Sequence, residues 1–110
     1  MQISDFTELM DHFVRSKGWY EPGSPRQQTP RNIAISLSLE ANEVLEHFQW
    51  KETIDHPEEL AGELADVALY LLQLAKISGI DLEQAIVNKL AANQDRSWDE
   101  PLNRLPTAGS

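Results

Sequence analysis

A chain of 110 residues supplies one domain around a single core, and 41% hydrophobic residues is ordinary for a globular protein and too many for a disordered one. A net charge of −9 leaves no basic field for a nucleic-acid polymer, and a phosphate-bearing ligand would need cations to bridge the like charges. The absence of cysteine excludes disulfides, thiol nucleophiles and thiolate metal sites. No apolar run is long enough to span a bilayer and the first residues lack the blocks of a signal peptide, so a cytoplasmic location without membrane contact is expected.

In chain order, Ser4 or Asp5 can cap a first helix, with Glu8 completing a capping-box pattern after Asp5. Phe6, Leu9, Met10, Phe13 and Val14 then follow the spacing of one buried face, and Gly18 is the stop. Residues 19–29 hold Pro22, Gly23 and Pro25 and read as a loop. Thr29 and Pro30 open a second helix, a cap followed by a proline at the first helical position, that is expected to run to about Trp50. Its apolar arc is Ile33, Leu37, Ala41, Val44 and Phe48, bordered by Ser36, Glu40, Glu43 and His47. Asp55 with Glu58 is the expected cap of a third helix, with Pro57 in its first turn and its end near Ser78 and Gly79. Asp81 with Gln84 starts a fourth almost at once, so helices three and four are expected to be antiparallel neighbours. On the fourth, Leu82 and Ile86 continue into Lys89, Asn93 and Arg96, a core stripe that turns into a face fit for an anion. Pro101 and Pro106 end regular structure after Trp98, giving a domain over 1–98 and a tail over 99–110. With no β-alternation, repeat or low-complexity block, the fold class is all-α, a four-helix bundle.

Two acidic pairs organise this pattern: Glu40 with Glu43 on the second helix, and Glu63 with Asp66 on the third. A three-residue step points both carboxylates of a pair the same way, and two facing helices would converge all four. Around the second pair Glu59 and Tyr70 continue a narrow stripe flanked by leucine, valine and alanine on both sides, which marks a buried helix. Buried carboxylates need partners, and too few basic residues lie on these helices to pair them all. A hard divalent cation such as Mg²⁺ or Mn²⁺ is the economical partner. Any one pair alone reads most simply as surface acid on an amphipathic helix; two pairs on strongly apolar helices reverse that balance. A di-iron carboxylate bundle would carry Glu-x-x-His steps, and none occurs. His47, one turn beyond Glu43, stays outside the metal set. Trp19, Trp50 and Trp98 are core or rim aromatics, or flat surfaces on which a nucleobase could stack. No phosphate-cradling glycine loop is present.

Glu-x-x-Glu followed by Glu-x-x-Asp on adjacent helices resembles the MazG-like all-α nucleoside triphosphate pyrophosphohydrolases. Pro30-Arg31-Asn32, the stretch Glu43 to Trp50 ending in Phe-Gln-Trp, and Glu63 to Tyr70 are similar to the dCTP pyrophosphatase branch, as are Trp19 and the Lys89, Asn93, Arg96 spacing. The resemblance covers about residues 6–97. Two departures bear on the phosphate grip and substrate preference: Arg96 leads to Ser97-Trp98 where many relatives have Tyr-Pro, and Ala92 stands where they often carry lysine.

The resemblance implies Mg²⁺-dependent cleavage of a nucleoside triphosphate, here a pyrimidine dNTP such as dCTP or a modified dNTP, to monophosphate and pyrophosphate. It implies Glu40, Glu43, Glu63 and Asp66 as the metal-binding catalytic set, with Lys89 and Arg96 on phosphate oxygens and Asn93 as a neutral donor. Trp19, Trp50 and Tyr70 complete the substrate contacts, and Glu46 and Glu59 are candidates for the general base. It also implies a homodimer or tetramer with sites built between subunits. Ile35 and Leu39, apolar on the side of helix two away from its main arc, point to the same assembly. The competing expectation is a non-catalytic acidic helical module that dimerises and keeps the quartet as an inert ion site.

Overall fold

A computed structural model describes residues 1–96 of the chain. It consists of α1 (Ile3–Ser16), α2 (Pro30–Glu46), α3 (Pro57–Ile77) and α4 (Leu82–Gln94), with no strand among the described residues. The all-α expectation with four helices holds. The expected tail and Trp98 lie outside the described residues.

Local chemistry accounts for most of the helix ends. The Thr29 hydroxyl accepts from the Asn32 N–H at 3.1 Å and the Asp81 carboxylate from the Gln84 N–H at 3.1 Å, each satisfying one orphan donor of a first turn. At α1 the cap is Gln2 instead of Ser4 or Asp5, and Asp5 acts from the third helical position, its carboxylate accepting from the Gln2 N–H at 2.7 Å. Gly18 and Gly79 take φ values of 72° and 70°, the left-handed conformation that closes a Schellman turn. There the Trp19 N–H reaches the Val14 carbonyl at 3.4 Å and the Ile80 N–H the Ala75 carbonyl at 2.9 Å.

Two boundaries differ from expectation. Asp55 does not cap α3; its carboxylate is held by Lys51 and by the Thr53 hydroxyl, and the cap position falls to His56 with Pro57 at the first helical position. α2 ends at Glu46, four residues before Trp50, because the chain tightens there into turns in which Phe48 donates to the Leu45 carbonyl at 2.9 Å. The amphipathic pattern continues past that point, but the helical hydrogen bonding does not.

α3 is the central element, with α2 packed along it and α1 packed against it. The buried apolar residues are Met10 and Val14 from α1, Ile33 from α2, and Leu60 and Ala75 from α3. Phe13 meets Trp19 edge-on at 5.7 Å between ring centroids, tying the loop after α1 to that helix. The loop over 19–29 is internally bonded: the Gln27 amide donates to the Pro22 and Ser24 carbonyls, and the Asn32 amide to the Gln27 carbonyl at 3.0 Å. On the far side, Lys76 of α3 reaches Glu8 of α1 at 3.2 Å.

The expected antiparallel packing of α4 on α3 is not found. Among the described residues α4 makes no packing comparable to that of the other three helices and has no buried residue. A short connection places two helices in sequence but cannot supply the facing apolar surface that would hold them together. The expectation that α3 is buried around its circumference is also unmet within one chain: Leu64, Leu69 and Leu71 are exposed. No described helix is long and apolar enough to cross a membrane.

Candidate active site

The packing of α2 on α3 brings the two acidic pairs together. The Glu40 carboxyl is pushed above the ordinary glutamate range, first by burial, next by Glu43, which shares a hydrogen bond with its protonated form, and then by the charges of Glu43, Asp66 and Glu63. The other three expected acids therefore all act on Glu40. Oε2 of Glu40 and Oε2 of Glu63 are buried and accept no hydrogen bond. His47, from the turn that ends α2, places Nε2 2.5 Å from Glu63 Oε2, a close contact outside hydrogen-bond geometry. Among the described residues no three acidic or histidine side chains form a ready-made metal-binding group. The quartet is gathered, not closed.

The four acids stand on two adjoining hollows. Glu40 and Asp66 edge a cleft of about 710 Å³ between α1, the loop after it, α2 and α3, where Trp19 and Tyr70 also line the wall. Glu43 and Glu63 edge a smaller hollow of about 290 Å³ with Glu46, His47, Lys51 and Glu59. Both candidates for a general base, Glu46 and Glu59, thus lie on the Glu43–Glu63 side.

Other expected substrate contacts are not assembled in the single chain. Trp50 is 88% exposed and lines neither hollow. Lys89 is exposed on α4, and Asn93 and Arg96, half-buried at its end, line neither hollow as well.

The cleft also holds residues not singled out from the sequence. The Arg26 guanidinium stacks 5.6 Å over the Trp19 ring. Gln73, only 3% exposed, donates from Nε2 to Gln28 Oε1 at 2.6 Å and to the Tyr20 hydroxyl at 3.4 Å. The signal for Gln73 was present: an amide within the run Tyr70-Leu71-Leu72-Gln73-Leu74-Ala75 is out of place unless bonded. Arg26 and Gln28 gave no such signal, since polar residues are expected in a loop.

The sequence profile of the MazG-like family matches residues 35–102. dCTP pyrophosphatase 1 of Mus musculus is 32% identical over 103 residues, covering 86% of this chain and 58% of that protein. The Homo sapiens protein of the same name is 31% identical over the same shares. A dATP/dGTP diphosphohydrolase of Salmonella phage PMBT28 is 53% identical over 38 residues, 34% of this chain and 13% of the phage protein. The chain spans 58% of the length of its dCTP pyrophosphatase relatives. From its all-α fold, its facing acidic pairs and the span of the profile match, the chain belongs to the MazG-like family.

Proposed function

We propose that the chain is a Mg²⁺-dependent nucleoside triphosphate pyrophosphohydrolase acting on a deoxynucleoside triphosphate, dCTP or a modified pyrimidine dNTP first among them. The names of its relatives support the reaction class. The observation that carries the reading is the Glu40 carboxyl, raised by burial and by three neighbouring acids, at the edge of a cleft that Trp19 and Tyr70 also line. Such a cluster is unfavourable by itself and becomes favourable when positive charge arrives.

Glu40, Glu43, Glu63 and Asp66 would hold the ion, a set of hard oxygens in which the buried Oε2 of Glu40 lacks a hydrogen bond. Bound there, Mg²⁺ would supply charge neutralisation for a triphosphate and Lewis acidity for the attack of water. The reaction adds water at the α-phosphorus and breaks the α–β anhydride bond, giving monophosphate and pyrophosphate. Trp19 offers a flat face to the base, and Glu46 or Glu59 can take the proton of the attacking water. Lys89 and Arg96 would meet phosphate oxygens from the α4 of a second copy, with Asn93 as a neutral donor beside them. A homo-oligomer is supported by the apolar residues that the single chain leaves outside, Leu39, Leu64 and Leu90 among them. The substrate class supports a cytoplasmic protein, and the net charge of −9 speaks against a nucleic-acid polymer as ligand.

Hydrolysis of dCTP in ¹⁸O-labelled water tests the reaction. The label should enter the monophosphate and be absent from pyrophosphate. Release of orthophosphate, or no turnover of any canonical or modified dNTP, would refute the reading.

A further inference from the structure

The cleft contains an amide relay whose polarity is set by the backbone. Gln28 Nε2 donates to the Arg26 carbonyl at 2.7 Å. A carbonyl only accepts, so the Gln28 amide must present its nitrogen to Arg26 and its oxygen to Gln73. Gln73 must in turn present its nitrogen to Gln28, which it does at 2.6 Å, and the same nitrogen reaches the Tyr20 hydroxyl at 3.4 Å. Both hydrogens of the Gln73 amide are then engaged. Its oxygen is left as an acceptor on a side chain that lines the cleft.

The position of this acceptor matters as much as its polarity. Asp66, Tyr70 and Gln73 follow the i, i+4, i+7 spacing of one helix face, and all three line the cleft. Seven residues of helix span about 10.5 Å, comparable with the reach of a nucleotide from its α-phosphate to the far edge of its base. With the phosphates at the acid cluster, a base edge would reach Gln73, in the cleft that Trp19 also lines.

We propose that Gln28 and Gln73 are the specificity-determining pair of the cleft, Gln73 Oε1 accepting from the exocyclic amino group of the base and Gln28 holding it in that orientation. The inference rests on the nucleotide reading of the cleft. Cytosine and adenine present an amino group beside a ring-nitrogen acceptor. Thymine and uracil present carbonyl oxygens on either side of one N–H, and a carbonyl would meet Gln73 Oε1 with like partial charge. The relay cannot reverse to suit them, because the Arg26 carbonyl cannot donate.

The test is binding of the α,β-imido analogues of dCTP and dTTP with Mg²⁺, measured by titration calorimetry on the full chain and on Gln73→Leu and Gln28→Leu. The wild type should bind the dCTP analogue about tenfold or more tightly than the dTTP analogue, the discrimination typical of one well-made base contact. In both variants the ratio should fall towards one, while inorganic triphosphate, which has no base, binds all three proteins alike. If Gln73→Leu fails to fold, Gln28→Leu, a change at a half-buried loop position outside the helices, decides the matter. Equal binding of the two analogues by the wild type, or an unchanged ratio in Gln28→Leu, overturns the proposal. Nucleotides that bind with this ratio yet are not hydrolysed refute the pyrophosphohydrolase reading and leave the pair standing.

Discussion

Glu40 carries the electrostatic strain of the site, and its consequences can be worked out in sign. Its carboxyl binds a proton more tightly in the folded protein than in the unfolded chain, because burial and the adjacent acids disfavour the charged form. The folded state therefore holds more protons above the ordinary glutamate value of 4.5, and stability falls as pH rises through the raised value. In excess EDTA the wild type should lose melting temperature as pH is raised across that window. Glu40→Gln has no charge to develop and should lose less. Equal pH dependence of the two melting curves would show that Glu40 is not the strained group.

The acid spacing was legible because a step of three residues has one meaning on a helix, and Glu43, Glu63 and Asp66 do act on Glu40. The salt contact between His47 and Glu63 was not legible, since it depends on where α2 stops and how its last turn sits on α3. Gln73 was legible in principle, as a lone amide in an apolar run, but its partners come from a loop 45 and 53 residues earlier in the chain.

Among the elements, those with local instructions form where expected. Thr29-Pro30, Asp81 and the two left-handed glycines act within one turn of backbone, and the helix ends follow them. Asp55 shows the limit of the same rule: a capping residue type beside Lys51 and Thr53 is claimed by their side chains before it can cap. α4 shows a different limit. Its start is encoded locally, but its docking depends on an apolar surface elsewhere, and among the described residues it packs far less than the other helices. Ile86, Val87 and Leu90 therefore remain exposed, and Lys89 is exposed with them. If α4 delivers its cations to the site of a second copy, Lys89→Ala and Arg96→Ala should weaken binding of a triphosphate by roughly tenfold each, the value of one charged hydrogen bond. Binding of the nucleoside alone should be unchanged. Wild-type affinity for both ligands in both variants would return α4 to an ordinary solvated helix.

At the scale of the molecule, a small core coexists with a large exposed apolar surface. Five apolar residues are buried among the described ones, whereas Ile35, Leu39 and Leu45 of α2 and Leu64, Leu69 and Leu71 of α3 are exposed. Leu39, 63% exposed, lines neither hollow at the acids. Leu39→Arg should therefore act through assembly, lowering the sedimentation coefficient and, if the site is completed by a second copy, the turnover with it. A wild-type chain that sediments as a fully active monomer at micromolar concentration would contradict the assembly.

The central claim is that the facing acidic pairs form the catalytic metal site of a pyrophosphohydrolase. Pyrophosphate release from dCTP, followed with Mg²⁺ and with excess EDTA in the wild type, Glu43→Gln and Asp66→Asn, tests it most directly. The account predicts turnover only in the wild type with Mg²⁺. Both variants should keep native helical content by circular dichroism and lose the Mg²⁺-induced rise in melting temperature that the wild type shows. Full activity in EDTA, or wild-type turnover in either variant, would contradict it.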